Sequence, residues 1–196
     1  GQGVELGNAQ EEVKELIEKA DLPAACTLLG LSCLPSNHPL NVGMLGMHGS
    51  LASNVKTQEC DLLIAIGMRF DDRITGKVST YARQAKKIHF DIDPAEINKN
   101  INVDVAVLGN CKDTVAQVLK KVKRNEHKAW KESFNEYHKK EHEKVISSEI
   151  HPQTGPIKMG EVVDRVSTFA NDKAIVVTDV GQNQMMAARY SRFTES

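Results

Sequence analysis

A run of apolar residues that leads into a glycine and a charged loop is the feature that most constrains how this chain folds. It occupies residues 61–76, DLLIAIGMRFDDRITG. Because the run Leu62–Ile66 shows no polar alternation, it is typical of a strand covered on both faces, as in a parallel sheet. Gly67 permits a ligand to approach the backbone closely. Open α/β sheets bind ligands at the carboxyl ends of their strands, so the sequence predicts a ligand site in the loop after Gly67.

The charged residues of that loop are Arg69, Asp71, Asp72 and Arg73. A guanidinium group donates hydrogen bonds in a planar fork that suits phosphate or carboxylate groups. The alternative is that the two arginines pair with the two aspartates at a solvated strand end, where ion pairs stabilise little. The residues alone leave both interpretations open.

The charge balance excludes some classes of partner. The chain of 196 residues carries 25 basic and 26 acidic side chains, for a formal net charge of -1. This balance gives no electrostatic reason to expect nucleic acid or an anionic membrane as a partner. No segment approaches the roughly 20 consecutive apolar residues that span a bilayer, and no signal peptide opens the sequence. We therefore expect a soluble, cytoplasmic protein.

The cysteines lie far apart and lack the CxxC spacing of a metal site. They are Cys26, Cys33, Cys60 and Cys111. We expect reduced, mostly buried thiols that carry no chemistry.

Strand and helix patterns alternate along most of the chain. Short apolar runs predict strands at residues 24–29, 62–66, 86–91, 103–108 and 174–180. Helical patterns are found at residues 8–20, with Asn8 as the cap, and at 50–60, 94–100, 111–122, 157–170 and after Gly181. Short connections between such elements produce right-handed crossovers and a parallel sheet with helices on both faces. The predicted fold is therefore α/β and Rossmann-like, and the last strand and helix would open a second α/β domain.

The segment predicted to be a loop after residue 30 ends in a glycine-rich stretch, GMLGMHG at residues 43–49. Its GxxGxxG spacing is not the GxGxxG dinucleotide fingerprint, although glycines before a helix start offer free backbone N–H groups to an anion. His48 is either a titrating residue or a hydrogen-bonded loop histidine. Asp91 either accepts from ribose hydroxyls at a strand end, or it or Asp93 caps the following helix.

Residues 120–149 are dense in Lys, Glu and His, and we interpret them as a solvated helix between two domains. Interleaved charges argue against nucleic-acid binding. His138 and His142 have a spacing that can in principle hold a metal, but no third ligand supports a site. Residues 151–156 have the composition of a linker. The helix that follows is expected to keep its apolar residues on one side, namely Met159, Val162, Val163, Val166 and Phe169.

Motifs in a fixed order give the chain a family resemblance: GMLGMHG, QECDLLIAIGMRFDDRITGK, HFDIDPAEINKN and TDVGQNQM. Together they resemble the large, catalytic subunit of the acetohydroxyacid synthase (acetolactate synthase) family. The resemblance implies a middle FAD-binding domain at residues 1–125 without its first strand, a charged helical linker at 126–155, and the start of a thiamine diphosphate-binding domain at 156–196. It places the thiamine-activating glutamate and the GDG-type metal motif outside this sequence, so that the chain alone is expected to be inactive.

The resemblance also implies the chemistry of the whole enzyme. Such enzymes use thiamine diphosphate and Mg²⁺ to decarboxylate pyruvate and to join the two-carbon unit to a second 2-keto acid, pyruvate or 2-ketobutyrate. They serve valine, leucine and isoleucine biosynthesis, and their FAD does no net redox work. A homo-oligomer is implied, and a regulatory small subunit stays open. We expect the chain alone to bind FAD weakly, because sites in the family also use the missing domain and a neighbouring subunit.

The resemblance assigns residues to each ligand. It implies FAD contacts from Gly1, Gly3, Thr27, Leu28, Leu45, Gly46, Met47, His48, Gly67, Met68, Arg69, Asp71, Arg73, Ile74, Asp91, Ile92, Gly109 and Asn110. It implies contacts to the second keto acid from Arg73, Asp72 and Met47. It implies contacts to thiamine diphosphate from Val180, Gly181, Gln182, Asn183 and Gln184, and it places no catalytic or metal-binding residue in this sequence. Asn183 departs from the family's GQHQMW and Asn110 from a common aspartate, so their contacts are expected to differ.

Two other interpretations stay open. One is a stand-alone nucleotide-binding module without catalysis, and the other is a different flavin-bearing thiamine enzyme such as glyoxylate carboligase. The RFDDRITG loop argues against the second. Flanking sequence with a thiamine-activating glutamate upstream and a GDG motif downstream would favour the carboligase over the module.

Overall fold

The computed structural model describes residues 1–194, and in that part of the chain two parallel sheets are flanked by helices. The strands are β1 (Ala24–Cys26), β2 (Asn41–Met44), β3 (Leu62–Ile66), β4 (Lys86–Asp91) and β5 (Val105–Leu108). The helices are α1 (Gln2–Leu6), α2 (Gln10–Ala20), α3 (Leu51–Glu59), α4 (Asp72–Thr75), α5 (Cys111–Leu119), α6 (Lys128–Glu132), α7 (Asn135–Glu141), α8 (Ser147–Ile150), α9 (Met159–Phe169) and α10 (Gln182–Tyr190). Short 3-10 helices lie at Leu28–Cys33 and Val78–Thr80, and a π-helical turn lies at His142–Ile146.

The larger sheet has the order β3-β4-β5, and all of its strands are parallel. Ile66 lies opposite Phe90, and Asp91 lies opposite Leu108. The carboxyl ends of the three strands therefore meet at one edge. The prediction of an α/β fold with a parallel sheet is confirmed.

Strand β3 is covered on both faces, as its unbroken apolar sequence predicts. Ile64 and Ile66 pack with Leu16 of α2 and Val115 of α5. The alternate residues Leu63 and Ala65 pack on the opposite face with a cluster from the segment after β3, which includes Phe70, Tyr81, Ala82 and Ala85. Successive side chains of a strand point to opposite faces, so burial on both sides requires the apolar residue at every position.

Of the two strands of the smaller sheet, β1 was predicted and β2 was not. β1 ends at Cys26 rather than continuing to Leu29, because the chain turns into a 3-10 helix at Leu28. β2 falls within the segment that was predicted to be a loop. It pairs in parallel with β1, with Ala24 opposite Asn41 and Cys26 opposite Met44. The loop prediction rested on Pro35, Asn37, Pro39 and Asn41. The first three precede β2, and Asn41 is its first residue.

Two local predictions of helix boundaries are wrong. Asn8 does not cap α2, because it adopts a left-handed conformation with φ of 49° and the helix begins after Ala9. Residues 94–100 form turns rather than a helix. Asp93 accepts a hydrogen bond from the N–H of Ala95, and Asn98 is left-handed with φ of 60°, which is incompatible with helix continuation. α1 at the start of the chain was not predicted.

The segment 120–149 is not one solvated helix. It is divided into α6, α7, the π-helical turn and α8, and it packs against α3. The buried ammonium of Lys56 lies 5.1 Å from the centre of the Trp130 ring and 5.2 Å from that of Tyr137. Such cation–π contacts anchor the segment to the sheet-bearing part of the chain.

The prediction of a strand at residues 174–180 is also wrong. This segment has no regular structure, and Ile175 is 94% exposed. A strand is stabilised by ladder hydrogen bonds to a neighbouring strand, and no strand of the described residues lies beside it. The apolar side of α9 is likewise uncovered, since Phe169 is 91% exposed. Helix α10 forms after Gly181 as predicted.

Candidate functional site

The carboxyl edge of the larger sheet brings together three of the predicted strand-end segments. The N–H of Gly67 donates to the carbonyl of Phe90 at 2.9 Å. The N–H of Gly109 donates to the carbonyl of Asp91 at 3.0 Å. Each strand end is thus bonded to the next, and Gly67, Asp91 and Gly109 lie along one edge.

The start of the chain lies against the end of β3. The nitrogen of Gly1 donates to the carbonyl of Ile66 at 2.8 Å, and the N–H of Gly3 donates to the carbonyl of Gly67 at 2.9 Å. A Cβ on Gly67 would lie 2.6 Å from the Cα of Gly3, and Gly67 has φ of 60°. Only glycines permit backbones to approach this closely in that conformation. The predicted residues Gly1, Gly3 and Gly67 therefore form one contact.

The glycine-rich loop after β2 is tied to the charged loop after β3. The N–H of Met47 donates to the carbonyl of Arg73 at 2.8 Å. Gly46 has φ of 109°, and a Cβ there would lie 2.8 Å from the Arg73 carbonyl oxygen. The amide side chain of Asn54 accepts from the Gly46 N–H at 3.0 Å and donates to the Gly46 carbonyl at 2.9 Å. Asn54 was not predicted, and its place within an ordinary helical pattern gave no signal of this role.

The charged loop is held by its aspartate and presents its arginines to solvent. Asp71 caps α4 by accepting from the N–H groups of Arg73 and Ile74, at 3.0 and 3.3 Å. The Nε of Arg69 lies 3.4 Å from Asp71, and the Nη1 of Arg73 lies 3.7 Å from Asp72. These ion pairs are long, and the arginine side chains are 70% and 72% exposed. The guanidinium groups therefore retain N–H donors that can bind an anion.

A buried histidine contacts two residues at this edge of the sheet. His89 is fully buried, and its Nε2 donates to the carbonyl of Met68 at 2.7 Å. The same nitrogen lies 3.4 Å from a carboxylate oxygen of Asp91. The other oxygen of Asp91 accepts from the N–H of Asp93 at 3.0 Å. Asp91 therefore accepts a hydrogen bond within a turn and does not cap a helix. That Asp91 accepts from ribose hydroxyls stays a prediction. The sequence gave no signal for His89, which lies within the strand.

The remaining predicted flavin residues also follow strand ends. Thr27 and Leu28 begin the 3-10 helix after β1, and the N–H of Leu45 donates to the carbonyl of Cys26 at 2.8 Å. Ile92 is exposed. Asn110 caps α5 by accepting from the N–H of Lys112 at 2.9 Å.

The predicted thiamine residues lie at the start of α10. Gly181 precedes the helix with φ of 140°, and Gln182, Asn183 and Gln184 form its first turn. Val180 is exposed. Further along the same helix, Arg189 donates to the carbonyls of His48 and Gly49 at 3.3 and 3.1 Å, so α10 contacts the glycine-rich loop.

Within residues 1–194, no three His, Cys, Asp or Glu side chains are grouped so that they could hold a metal ion. His138 stacks against Phe134, and burial lowers the pKa of its imidazole. The cysteines are free and three of the four are buried, which confirms their prediction as reduced thiols. Burial raises the pKa of the Cys33 thiol to about 12. The part of the chain that the structure describes also has no helix long and apolar enough to cross a membrane.

Comparison with known families matches residues 1–118 to the family described as "Thiamine pyrophosphate enzyme, central domain". The chain therefore belongs to this family of thiamine pyrophosphate enzyme domains.

Individual relatives are acetolactate synthase large subunits. The "Acetolactate synthase large subunit" of Parasynechococcus marenigrum is 43% identical over 98% of this chain and 31% of its own length. The "Probable acetolactate synthase large subunit" of Methanococcus aeolicus is 41% identical over 97% of this chain and 34% of its own. The "Acetolactate synthase isozyme 2 large subunit" of Escherichia coli is 38% identical over 99% of this chain and 34% of its own. The chain thus spans about a third of the length of these relatives.

Proposed function

We propose that this chain forms the flavin-binding part of an acetolactate synthase large subunit, followed by a linker and the start of a thiamine-binding domain. The observation that carries the proposal is the 2.8 Å hydrogen bond between Met47 and Arg73. It joins the two loops to which the resemblance assigns the flavin and the second keto acid. The similarity to large subunits across almost the whole chain supports the same assignment.

The residues at the sheet edge fit FAD. Gly1, Gly3 and Gly67 lie together at the end of β3 and carry no side chains, so an extended ligand can approach the backbone closely at this edge. Arg69 and Arg73 offer guanidinium donors to a diphosphate. Asp91, Gly109 and Asn110 border the same edge at the ends of β4 and β5. When bound, the flavin does no net redox work in the proposed reaction.

Arg73 is the residue proposed to bind the carboxylate of the second keto acid. Two hydrogen bonds fix its backbone. The Arg73 N–H donates to the Asp71 carboxylate, and the Arg73 carbonyl accepts from the Met47 N–H. Its guanidinium is exposed and only weakly paired, so it can form a bidentate pair with a carboxylate. Asp72 lies 3.7 Å from the Arg73 guanidinium, and Met47, whose side chain is exposed, contacts Arg73 through its backbone N–H; we propose that both limit the size of the keto acid.

The residues proposed for thiamine diphosphate fit that cofactor less well than the residues at the sheet edge fit FAD. Val180 to Gln184 offer the N–H groups of a helix start, which suit a phosphate, but the segment before them is exposed and irregular. The described residues contain no group of three His, Cys, Asp or Glu side chains that could hold a metal ion, and the resemblance places the Mg²⁺ motif outside this sequence. Thiamine diphosphate, when bound, would supply an electron sink for the decarboxylation and for the carbon–carbon bond formation.

The proposal extends to partners and location. The relatives are named large subunits, which supports a small regulatory subunit as partner. We propose a homo-oligomer that acts on 2-keto acids in the cytoplasm.

The experiment is an assay of a protein of the relatives' length that carries this sequence. With pyruvate, thiamine diphosphate, Mg²⁺ and FAD, it is expected to form acetolactate, and omission of thiamine diphosphate is expected to abolish the product. With glyoxylate supplied in place of pyruvate, condensation of two glyoxylate molecules with loss of carbon dioxide, and no acetolactate from pyruvate, would favour glyoxylate carboligase. FAD binding with no carboligation of any keto acid would favour a nucleotide-binding module.

A further inference from the structure

An arginine of α10 joins the proposed thiamine segment to the proposed flavin loop. The guanidinium of Arg189 donates to the carbonyls of His48 and Gly49, at 3.3 and 3.1 Å. It also forms a charge-assisted hydrogen bond with the Glu141 carboxylate at the end of α7. The Glu141 side chain is only 10% exposed, so this ion pair is shielded from solvent. One side chain of α10 thus contacts two segments that are far from it in sequence, the glycine-rich loop and the end of α7.

The loop that Arg189 reaches is fixed on its other sides by different elements. Asn54 of α3 holds both polar backbone atoms of Gly46. The carbonyl of Arg73 accepts a hydrogen bond from the N–H of Met47, and the N–H of Gly49 donates to the carbonyl of Gly46 at 2.9 Å. Arg189 supplies donors to the two carbonyls that follow, those of His48 and Gly49. The loop is therefore held from α3, from the charged loop and from α10.

Helix α10 connects the proposed thiamine segment at its start to the glycine-rich loop that Arg189 contacts. Gln182 begins the helix and Arg189 lies seven residues later, about two turns or roughly 10 Å along the axis. A regular helix moves as a unit, so a displacement of its first turn moves Arg189 with it. Carbonyls bound to a guanidinium fork would follow, because the fork is planar and binds several acceptors in a fixed geometry.

We propose that Arg189 is a positioning residue that couples the start of α10 to the glycine-rich loop, so that ordering of one segment orders the other. It touches neither ligand in this scheme, and Glu141 serves to orient its guanidinium. The nature of the two ligands rests on the proposed function, but the coupling of the two segments does not.

The test measures hydrogen exchange of individual backbone amides in the protein without ligands. In Arg189→Met the donors are lost while the length of the side chain is kept, and the accompanying Glu141→Gln change avoids a stranded buried charge. The double variant is expected to exchange the amides of Met47 and Gly49 about tenfold faster. Amides of Leu63, Ile64 and Ala65 in β3 are expected to keep their rates.

Three single variants sharpen the result. Glu141→Gln alone keeps a side-chain oxygen that can accept from Arg189 and so orient its guanidinium toward the loop carbonyls, and it is expected to leave the Met47 and Gly49 rates within about twofold. Arg189→Lys keeps the charge but not the fork, and is expected to restore protection in part. Arg165→Met removes a surface arginine that pairs with Glu161, and is expected to change neither region.

Two outcomes would overturn the proposal. Unchanged exchange at Met47 and Gly49 in the double variant would show that the loop does not depend on Arg189. A rise of equal size in β3 would show general destabilisation rather than local positioning. Either result would leave the proposed function untouched, because that function is tested by the formation of acetolactate.

Discussion

The backbone N–H of Met47 donates a 2.8 Å hydrogen bond to the carbonyl of Arg73. This bond joins the glycine-rich loop after β2 to the first turn of α4, although β2 and β3 belong to different sheets. A main-chain hydrogen bond therefore contributes to the relative position of the two loops. Changes that push the two backbones apart should affect both loops at once.

Gly46→Ala is such a change. Gly46 has φ of 109°, and an added Cβ would lie 2.8 Å from the Arg73 carbonyl oxygen and 2.9 Å from the Cδ1 of Ile74. We expect a loss of about 1–3 kcal/mol in the free energy of unfolding, measured by urea denaturation. Gly76→Ala is the matched control, because Gly76 also has positive φ but has nothing within 4 Å of the added Cβ. Equal losses in the two variants would show that the contact with Arg73 does not matter.

Arg73→Ala should weaken use of the second keto acid without unfolding the protein. Its side chain is 72% exposed, so the free energy of unfolding is expected to change by less than about 0.5 kcal/mol. Loss of a charge-assisted pair with a carboxylate is expected to raise the KM for the second keto acid about tenfold or more. The measurement is acetolactate formation at low pyruvate in a protein of the relatives' length. Arg83→Ala, which alters another exposed arginine outside the loop, serves as control, and unchanged rates in Arg73→Ala would remove this role.

The buried thiols should resist alkylation. Burial raises the pKa of Cys33 to about 12, and burial also raises the pKa values of Cys26 and Cys111. Since the thiolate is the reactive species, iodoacetamide at neutral pH is expected to modify these cysteines only after denaturation. Mass spectrometry with and without urea checks this. Rapid modification of Cys33 in the folded protein would contradict its burial.

Asp21 should make the protein less stable in acid. Its carboxylate accepts from the His127 N–H and from the Lys131 ammonium, both at 2.6 Å, and these bonds lower its pKa. The unfolded chain, with an ordinary carboxyl pKa of about 3.9, therefore binds more protons than the folded chain at pH values just below that. Stability is full above this pH and falls as the pH drops through the folded pKa. Urea unfolding between about pH 3 and 5 should show a shallower pH dependence in Asp21→Asn, and identical slopes would exclude Asp21 as a cause.

The elements that the sequence predicted well are those in which local pattern and tertiary environment agree. β3 and β4 have the predicted bounds because they pair with each other in parallel and because apolar clusters cover both faces of β3. The run at 174–180 also begins with consecutive apolar residues, but it has no neighbouring strand in the described residues, and it does not become a strand. β2 was missed for the opposite reason, since β1 supplies a partner to a segment that has few strand-forming residues.

The candidate site shows the same division. Its strand-end positions were predictable because parallel strands with glycines at their ends must bring those ends to one edge. The contacts of Asn54, His89 and Arg189 were not predictable, because each joins residues whose approach depends on the complete fold. Arg189 and His48 are separated by 141 positions, and no local pattern relates them.

The most direct test of the proposed flavin site is a titration with FAD, followed by flavin fluorescence, in a protein of the relatives' length that carries this sequence. The double variant Arg69→Ala, Arg73→Ala is expected to bind FAD at least about tenfold more weakly than the unchanged protein, while Arg83→Ala keeps the original affinity. Equal affinity of the double variant and the unchanged protein would contradict the placement of the flavin at the carboxyl edge of the sheet.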